Sequence, residues 1–447
     1  MRRLNIQFVL NIKDFMRRLH PLKLVLWGYF LYIMVGWMLL SLPCAQSKIT
    51  PAIDNLFTAT SAVSTTGLVT VSMSDNYSFF GELVILILIQ LGGIGYMTFG
   101  SFVILSSKKQ LSPERTKVSE TVFTLPKNFR IDKFIKSVVR FTFTIELIGA
   151  IFLFFIFRSS NTVDAFWSAI FHSVSAFCTA GFSIYNNSFE SFYDNFWLNL
   201  VISILSYSGA IGFIVFVDVW RKIKGKIKNI TLTSKIILHI TFWLSIIGTF
   251  NIFLTEPSIQ QLPPDERLIT SIFQAMTALT TVGFNTISIA AITKATMLLL
   301  TMLMVIGASP SGTGGGLKST TFSAMLGVMK SVIKGESRVS FWRNEIPFER
   351  IWTAMASFCF YIAFLVFGVY LLDLSESFEF ERIVFEAASA LGTVGLSMGI
   401  TSELTNLGKI IITLLMYSGR VGILTFGMAI FLKQDILYQD EEKDVAI

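Results

Sequence analysis

Charge is scarce in this chain. Asp, Glu, Lys and Arg make up 15% of its 447 residues, against about 25% in ordinary soluble domains. That shortage excludes a solvated globular surface. Histidine and cysteine number only three each. Cys44, Cys178 and Cys359 lie far apart, with no CxxC pair and no ligand-like spacing to His20, His172 or His239. This excludes a zinc site or a disulfide framework as the organising feature. No His/Cys/Asp cluster and no nucleophile–base constellation supports an enzyme. The net charge of +7 is not a nucleic-acid footprint, because in so apolar a chain the placement of charges matters and not their sum.

What the chain has is apolar length, with 53% hydrophobic residues and 43 Phe. Full-length apolar spans fall near 23–43, 79–106, 134–158, 195–220, 233–255, 294–333, 349–373 and 406–432. Each suits a hydrocarbon core roughly 30 Å thick. The run from Leu24 to Leu42 is too long for a signal-peptide core and reads as the first span. Four shorter amphipathic stretches, 52–65, 164–179, 266–281 and 380–393, lie between the spans. They are too short to cross and suit re-entrant half-helices. The expected fold is an all-α polytopic membrane protein in which a long, short, long pattern recurs four times.

Basic residues set the orientation. They crowd the arm 1–22 and the connections 107–133, 221–232 and 334–348, and avoid the other loops. By the positive-inside rule these connections and both termini are cytoplasmic, at the plasma membrane. The organisation that follows is an N-terminal arm 1–22, repeat one 23–106, a basic loop 107–133, repeat two 134–220 and a basic loop 221–232. Repeat three spans 233–333, a cytoplasmic loop 334–348 follows, repeat four spans 349–432, and 433–447 forms a tail.

The short stretches align without gaps. They read FTATSAVSTTG from Phe57 to Gly67, FHSVSAFCTAG from Phe171 to Gly181, FQAMTALTTVG from Phe273 to Gly283, and FEAASALGTVG from Phe385 to Gly395. Small residues at regular spacing in one membrane helix would signal only close packing. Four copies in register, each between two spans, signal a repeated helix–pore loop–helix unit. Four units around an axis bring together Thr65, Thr66 and Gly67; Thr179, Ala180 and Gly181; Thr281, Val282 and Gly283; and Thr393, Val394 and Gly395. A ring of backbone carbonyls can replace the hydration shell of a cation. Gly permits the dihedrals that turn carbonyls inward. Inward-running half-helices would aim their partly negative C-termini at the centre. Asp54, Asp164, Asp265, Glu266 and Glu381 stand near the outer starts of these stretches. They would cap those ends or concentrate cations outside; the sequence leaves both roles open.

The second spans of repeats one, two and four carry QLGGIG at 90–95, YSGAIG at 207–212 and YSGRVG at 417–422. Repeat three instead reads VIGASPSGTGGGLKSTT from Val305 to Thr321. Gly307, Pro310, Gly312, Gly314, Gly315 and Gly316 forbid a continuous helix there. The expected break is an intramembrane loop at 307–318 that includes Thr313 and Lys318. The stretch fails the phosphate-loop pattern, since Leu317 stands where Gly should precede the Lys. A carrier of a small organic solute would show a paired break in an inverted half, whereas this pattern predicts a single broken helix. Arg420 lies deep in a span, where a charge is functional by default. It must find acceptors, the nearest being carbonyls of 309–316. Glu146 is intramembrane without a visible partner, and His172 reads as a packed histidine.

STTGL, CTAGF, TTVGF and GTVGL resemble degenerate single-chain versions of the potassium-channel filter. The fourfold unit is that of the Trk/Ktr/HKT superfamily of cation transporters. The resemblance covers about residues 20–432. Eight spans without an extra leading pair look like the KtrB type and not the larger TrkH type. The resemblance implies that Gly67, Gly181, Gly283 and Gly395 are the filter glycines. It also implies potassium preference, because plant relatives that move sodium carry Ser at the first of them. It implies K+ in the filter, Na+ as an activating ion, and no covalently bound cofactor. The stretch 307–318 would be the gating loop. Arg420 would be a pore barrier beneath the filter or a hydrogen-bond anchor for the loop; both remain open. The implied partners are a second copy in a homodimer, membrane lipid, and a cytosolic RCK-type nucleotide-binding ring like KtrA or KtrC. A sodium or mixed-cation pathway is the alternative within the same fold.

Overall fold

The computed structural model describes residues 21–95 and 131–431. The arm to residue 20, most of the basic connection 107–133 and the tail 433–447 lie outside the described residues. Those described are mostly helical, with almost no strand.

Four long helices form the rim: α1 (Pro21–Leu40), α4 (Ile131–Ser159), α8 (Leu232–Thr255) and α12 (Phe348–Ser375) are 20 to 29 residues long. At 1.5 Å per residue they reach about 30 Å or more. Their outward side chains are large and apolar: Leu31, Phe155, Phe250 and Val366 are each more than 60% exposed. Such a surface suits hydrocarbon and not water. In these helices long apolar runs carry the turns through isolated glycines such as Gly36, Gly149, Gly248 and Gly368 without a break. Ahead of α12, the basic connection folds back as a two-residue hairpin, Ser340–Phe341 against Asn344–Glu345. Trp342 and Arg343 at its tip both take positive φ, the twist that two-residue hairpins require.

Four short helices lie inside the rim: α2 (Ala52–Ser64), α5 (Ala165–Phe177), α9 (Pro264–Thr280) and α13 (Phe380–Leu391). After each comes an inner helix: α3 (Phe79–Ile94), α6 (Phe196–Ala210), α10 (Lys294–Ile306) and α14 (Asn406–Val421). Ser78, Asn195, Thr293 and Thr405 cap these inner helices, each side chain accepting a hydrogen bond from a first-turn amide. Glu256 and Glu376 accept in turn from the backbone and hydroxyl of Thr293 and Thr405. Each inner helix packs on the next short helix: α3 on α5, α6 on α9, α10 on α13, and α14 back on α2. The packing therefore closes on itself.

One expectation fails. The stretches 195–220 and 406–432 are not continuous helices. The chain turns by 97° between α6 and α7 (Phe213–Ile223), and by 98° between α14 and α15 (Ile423–Phe431). The cause lies in the last Gly of each small-residue motif. Gly95, Gly212 and Gly422 have φ of 84°, 95° and 89°, values closed to most side chains. The first Gly of each motif does the packing. A Cβ on Gly92, Gly209 or Gly419 would sit under 3.0 Å from the carbonyl oxygen of Val63, Phe177 or Leu391. The motifs thus combine a close contact with a hinge, and the break is not confined to repeat three. There, α10 and α11 (Ser319–Ile333) are separated by the helix-free segment 307–318. Among the described residues, four helices are long and apolar enough to cross a membrane, or six if each bent pair counts as one span.

Candidate functional site

The aligned columns of the repeat have physical roles. Phe57, Phe171, Phe273 and Phe385 are fully buried and hold each short helix in the protein. Each short helix then ends in the same paired bonds. Thr66, Ala180, Val282 and Val394 N–H donate to Ser61, Ser175, Thr277 and Ser389 O. Thr65, Thr179, Thr281 and Thr393 N–H donate to Ala62, Ala176, Ala278 and Ala390 O. This is the Schellman ending, whose left-handed position is normally Gly. Here it is Thr every time, with φ between 49° and 58°. A β-branched residue in that region costs of order 1–2 kcal/mol. Strain of this kind persists where surrounding structure enforces it, and it clusters at functional sites.

Two residues on, Gly67, Gly181, Gly283 and Gly395 take φ of 92°, 66°, 82° and 97°. Left-handed Thr and Gly flank a residue of ordinary hand, and alternating hand turns successive carbonyls to one side. The turns sit edge to edge. A Cβ on Gly67 would lie under 3.0 Å from Ala180 O, one on Gly181 from Val282 O, one on Gly283 from Val394 O, and one on Gly395 from Thr66 O. Those four contacts make a closed ring with no room for a side chain at any glycine. The Ser61 and Ser389 hydroxyls accept from Gly67 and Gly395 N–H at 3.1 Å each. That accounts for the hydroxyl column in the first and fourth repeats; in the second, the Ser175 hydroxyl donates to Phe182 O at 2.8 Å instead.

The segment 307–318 lies against all four Thr. The Thr313 hydroxyl is 3.1 Å from that of Thr179 and donates to Phe177 O at 3.1 Å. Thr65 Oγ1 lies 3.5 Å from Thr313 O. Gly315 N donates to Thr281 Oγ1 at 3.3 Å. A Cβ on Gly315 would overlap Thr393 Oγ1, and one on Gly314 would overlap Thr281 Oγ1. The glycines are therefore dictated by closeness to the ring. The segment is pinned from its flanks: Ser309 N and Thr313 N donate to Ala210 O and Gly209 O, and Phe213 N donates to Ser311 O. Gly307 takes φ of 61° where α10 ends. Pro310 O, opposite Gly212, leaves no space for a Cβ there. Gly312 is equally tight against Ala210 O, and Gly316 against Gly307. Lys318 reaches back to Gly314 O at 2.7 Å.

Arg420 joins these parts. It sits in the last turn of α14, just before the bend, at the motif position held by Gly93, Ala210 and Ala308 in the other repeats. Its Nη1 donates to Thr65 Oγ1 at 2.9 Å and to Thr313 O, and its Nη2 to Gly92 O and to Gly93 O at 3.3 Å. One guanidinium therefore ties the first turn, the loop and the end of α3. A guanidinium cannot neutralise itself to escape burial and needs such acceptors.

Other polar groups find partners that the sequence concealed. Gln90 Nε2 donates to Glu146 at 3.2 Å, and Cys178 Sγ lies 3.7 Å from the same carboxylate, which corrects the reading of Glu146 as unpartnered. His172 is fully buried, bonded to Ser168 O at 2.8 Å and stacked on Tyr185. The outer acids do not cap their helices with side-chain hydrogen bonds. Asp54 instead pairs with Lys409 at 2.6 Å, largely buried, and Glu381 pairs with Lys294. Lys409 carried no motif and was not singled out in the sequence. Neither was Glu386, although the alignment places it in the same column as His172.

Comparison with known proteins gives a consistent result. The family model for the cation transport protein TrkH matches residues 30–439. Ktr system potassium uptake protein B of Bacillus subtilis is 34% identical, over 92% of each chain. The potassium/sodium uptake protein NtpJ of Enterococcus hirae is 35% identical, over 93% of this chain and 94% of its own. Among solved structures, the potassium transporter TrkH from Vibrio parahaemolyticus superposes with a TM-score of 0.71 at 18% identity, over 91% of this chain and 85% of that one.

Proposed function

The chain belongs to the TrkH family of cation transport proteins, and on that premise we propose that it is the potassium-selective, ion-translocating subunit of a Ktr-type uptake system. A multi-pass membrane transporter of this family is not an enzyme, and its cargo is a cation and not an organic solute. The finer reading is four helix–pore loop–helix repeats around a pseudo-fourfold pore, eight spans plus four half-helices, with both termini cytoplasmic.

The closed ring of glycine-to-carbonyl contacts carries this reading. It supports a carbonyl-lined filter made of Thr65–Gly67, Thr179–Gly181, Thr281–Gly283 and Thr393–Gly395, where backbone oxygens take over from the hydration shell of K+. Irregular backbone at membrane depth needs a pore or protein lining, and here the turns supply it for one another. The residues before the glycines differ, Thr66, Ala180, Val282 and Val394, so the four walls are not equivalent and fewer well-formed sites result than in a true tetramer. The segment 307–318 acts as the gate, a role that its contacts with all four Thr support. Arg420 acts as both loop anchor and barrier. The names of the relatives support K+ as cargo and Na+ as a second ion, activating or carried. They also support Ktr-type partner subunits; the reading takes these to be a second copy of the chain, within membrane lipid, and a cytosolic KtrA/KtrC-like ring.

The test is Gly67→Ser, assayed as relative K+ and Na+ uptake in transport-deficient cells. The new side chain has to displace Ala180 O, so discrimination should fall. Normal expression with unchanged discrimination refutes the filter. Rubidium flux into proteoliposomes with sodium competition separates the potassium pathway from a sodium or mixed-cation pathway.

A further inference from the structure

One column of the alignment carries a different polar side chain in every repeat. The residue after the half-helix Phe is Thr58, His172, Gln274 and Glu386 in turn, and all four are fully buried. In three repeats this side chain reaches outward past the turn to a hydroxyl two or three residues beyond the glycine. His172 Nε2 lies 3.0 Å from Ser183 Oγ, Gln274 Nε2 donates to Thr286 Oγ1 at 3.1 Å, and Ser397 Oγ donates to Glu386 Oε1 at 2.9 Å. In the first repeat Val69 stands two residues beyond the glycine and Thr70 three beyond, and no hydrogen bond joins Thr58 to Thr70. Three different functional groups thus solve the same problem: holding the strand that leaves the ring against the helix that enters it.

Glu386 holds most. Besides Ser397 it accepts from Thr401 Oγ1 and from Met398 N at 3.4 Å. Ser397 Oγ in turn accepts from Gly399 N at 3.0 Å. A single buried carboxylate thereby fixes 397–401, the return segment that begins just after Gly395. Gly395 abuts Thr66 O, and Val394 O abuts Gly283, so a shift of this strand moves two of the four contacts in the ring. A carboxyl group offers two acceptor oxygens, and here they serve three donors where the imidazole or amide of the other repeats serves one hydroxyl.

We infer that Glu386 is a positioning residue for ion discrimination: its carboxylate sets the outer edge of the fourth turn, and through it the spacing of the ring. This rests on the reading of the ring as the filter. The experiment measures K+ and Na+ uptake separately in cells lacking other uptake systems, with membrane abundance measured in parallel. The variants are Glu386→Gln, the double variant Ser397→Ala/Thr401→Val, all three changes together, and Gly395→Ser. Glu386→Gln keeps the shape but presents an amide where two hydroxyls donate. The K+/Na+ uptake ratio should fall at least about fivefold in Glu386→Gln and in the double variant. The triple variant should fall no further than the worse of the two, because one network is being broken. A purely structural role would scale both fluxes with abundance and leave the ratio unmoved, which overturns the inference. A fall in the ratio for Gly395→Ser but not for Glu386→Gln overturns the inference and leaves the filter standing. An unchanged ratio in Gly395→Ser as well removes the filter with it. Where Glu386→Gln does not reach the membrane, the double variant decides by the same ratio.

Discussion

Arg420→Gln separates charge from anchorage in the exit below the ring. The parent guanidinium donates to Thr65 Oγ1, Thr313 O, Gly92 O and Gly93 O. A Gln amide has two N–H donors on a shorter stem and keeps at most two of these bonds. At an effective dielectric of about 20, a unit charge roughly 8 Å from a passing cation raises its energy by about 2 kcal/mol. Removing that charge lowers an exit barrier by a factor of roughly 30 in rate. Loss of the loop tether acts in the same direction, because Thr313 then keeps its contacts with Phe177, Thr179 and Gly209 and only the long one, 3.5 Å, with Thr65 Oγ1. The maximal rate should therefore rise by about ten- to thirtyfold, with a much smaller change in apparent affinity, since the binding ring is left intact. Rubidium flux across a range of external potassium concentrations resolves the two parameters. Arg420→Lys is the control: it keeps the charge but loses the fork, and should show only the smaller rise that the lost tether gives. A folded Arg420→Gln protein with an unaltered maximal rate refutes the barrier. An equal rise in Arg420→Lys assigns the effect to the tether alone. A change in affinity without a change in rate moves Arg420 to the support of the ring.

Deleting Gly312–Gly316 removes the contacts with Thr65, Thr179 and Thr281 and should raise flux while reducing dependence on a cytosolic regulator; a folded variant that conducts no faster makes the segment a packing element. Asp54→Asn or Lys409→Met leaves one buried charge unpaired and should cost about 3–5 kcal/mol, read as a lower melting temperature in detergent, whereas the double substitution should recover much of the loss. At Glu256, burial pushes the carboxyl up, but hydrogen bonds from Thr296, Thr293 and Ser258 outweigh it and hold the group below its ordinary 4.5. Its contribution is complete above that ordinary value and is lost as pH falls through the lower folded value. Acid melting curves of the parent should steepen there, and Glu256→Gln should flatten them.

The ring was legible because its requirements repeat in register. Phe in the anchor column, Ser or Thr six residues before the glycine, and the glycine itself each answer to a local need that side-chain chemistry displays. Left-handed Thr was not legible, since helix endings of this geometry ordinarily announce themselves with Gly. The bends at Gly212 and Gly422 were hidden because the same small-residue motifs also describe plain packing, and both uses are present within six residues. The sequence pointed to 309–316 for the acceptors of Arg420; Thr313 O lies there, while Gly92, Gly93 and Thr65 come from a distant repeat. Glu146 with Gln90, and Asp54 with Lys409, could not be paired from sequence at all, because each pair joins different helices and no spacing rule links them.

The closure of α14 onto α2 has a consequence for biosynthesis. Asp54 and Lys409 are 355 positions apart, so at ribosomal rates of about 5–20 residues per second the carboxylate waits roughly 20 to 70 s for its partner. During that interval the first short helix has α1 beside it but not α14, Asp54 has no partner, and Thr65 lacks the guanidinium that will brace it. The nascent chain must shelter this face, by lipid headgroups, by water, or by the insertion machinery itself. A chain that stops before residue 409 never completes the enclosure. Truncated products should therefore remain recognisable to membrane proteases as unfinished, while the full-length chain ceases to be a substrate once its last helix docks.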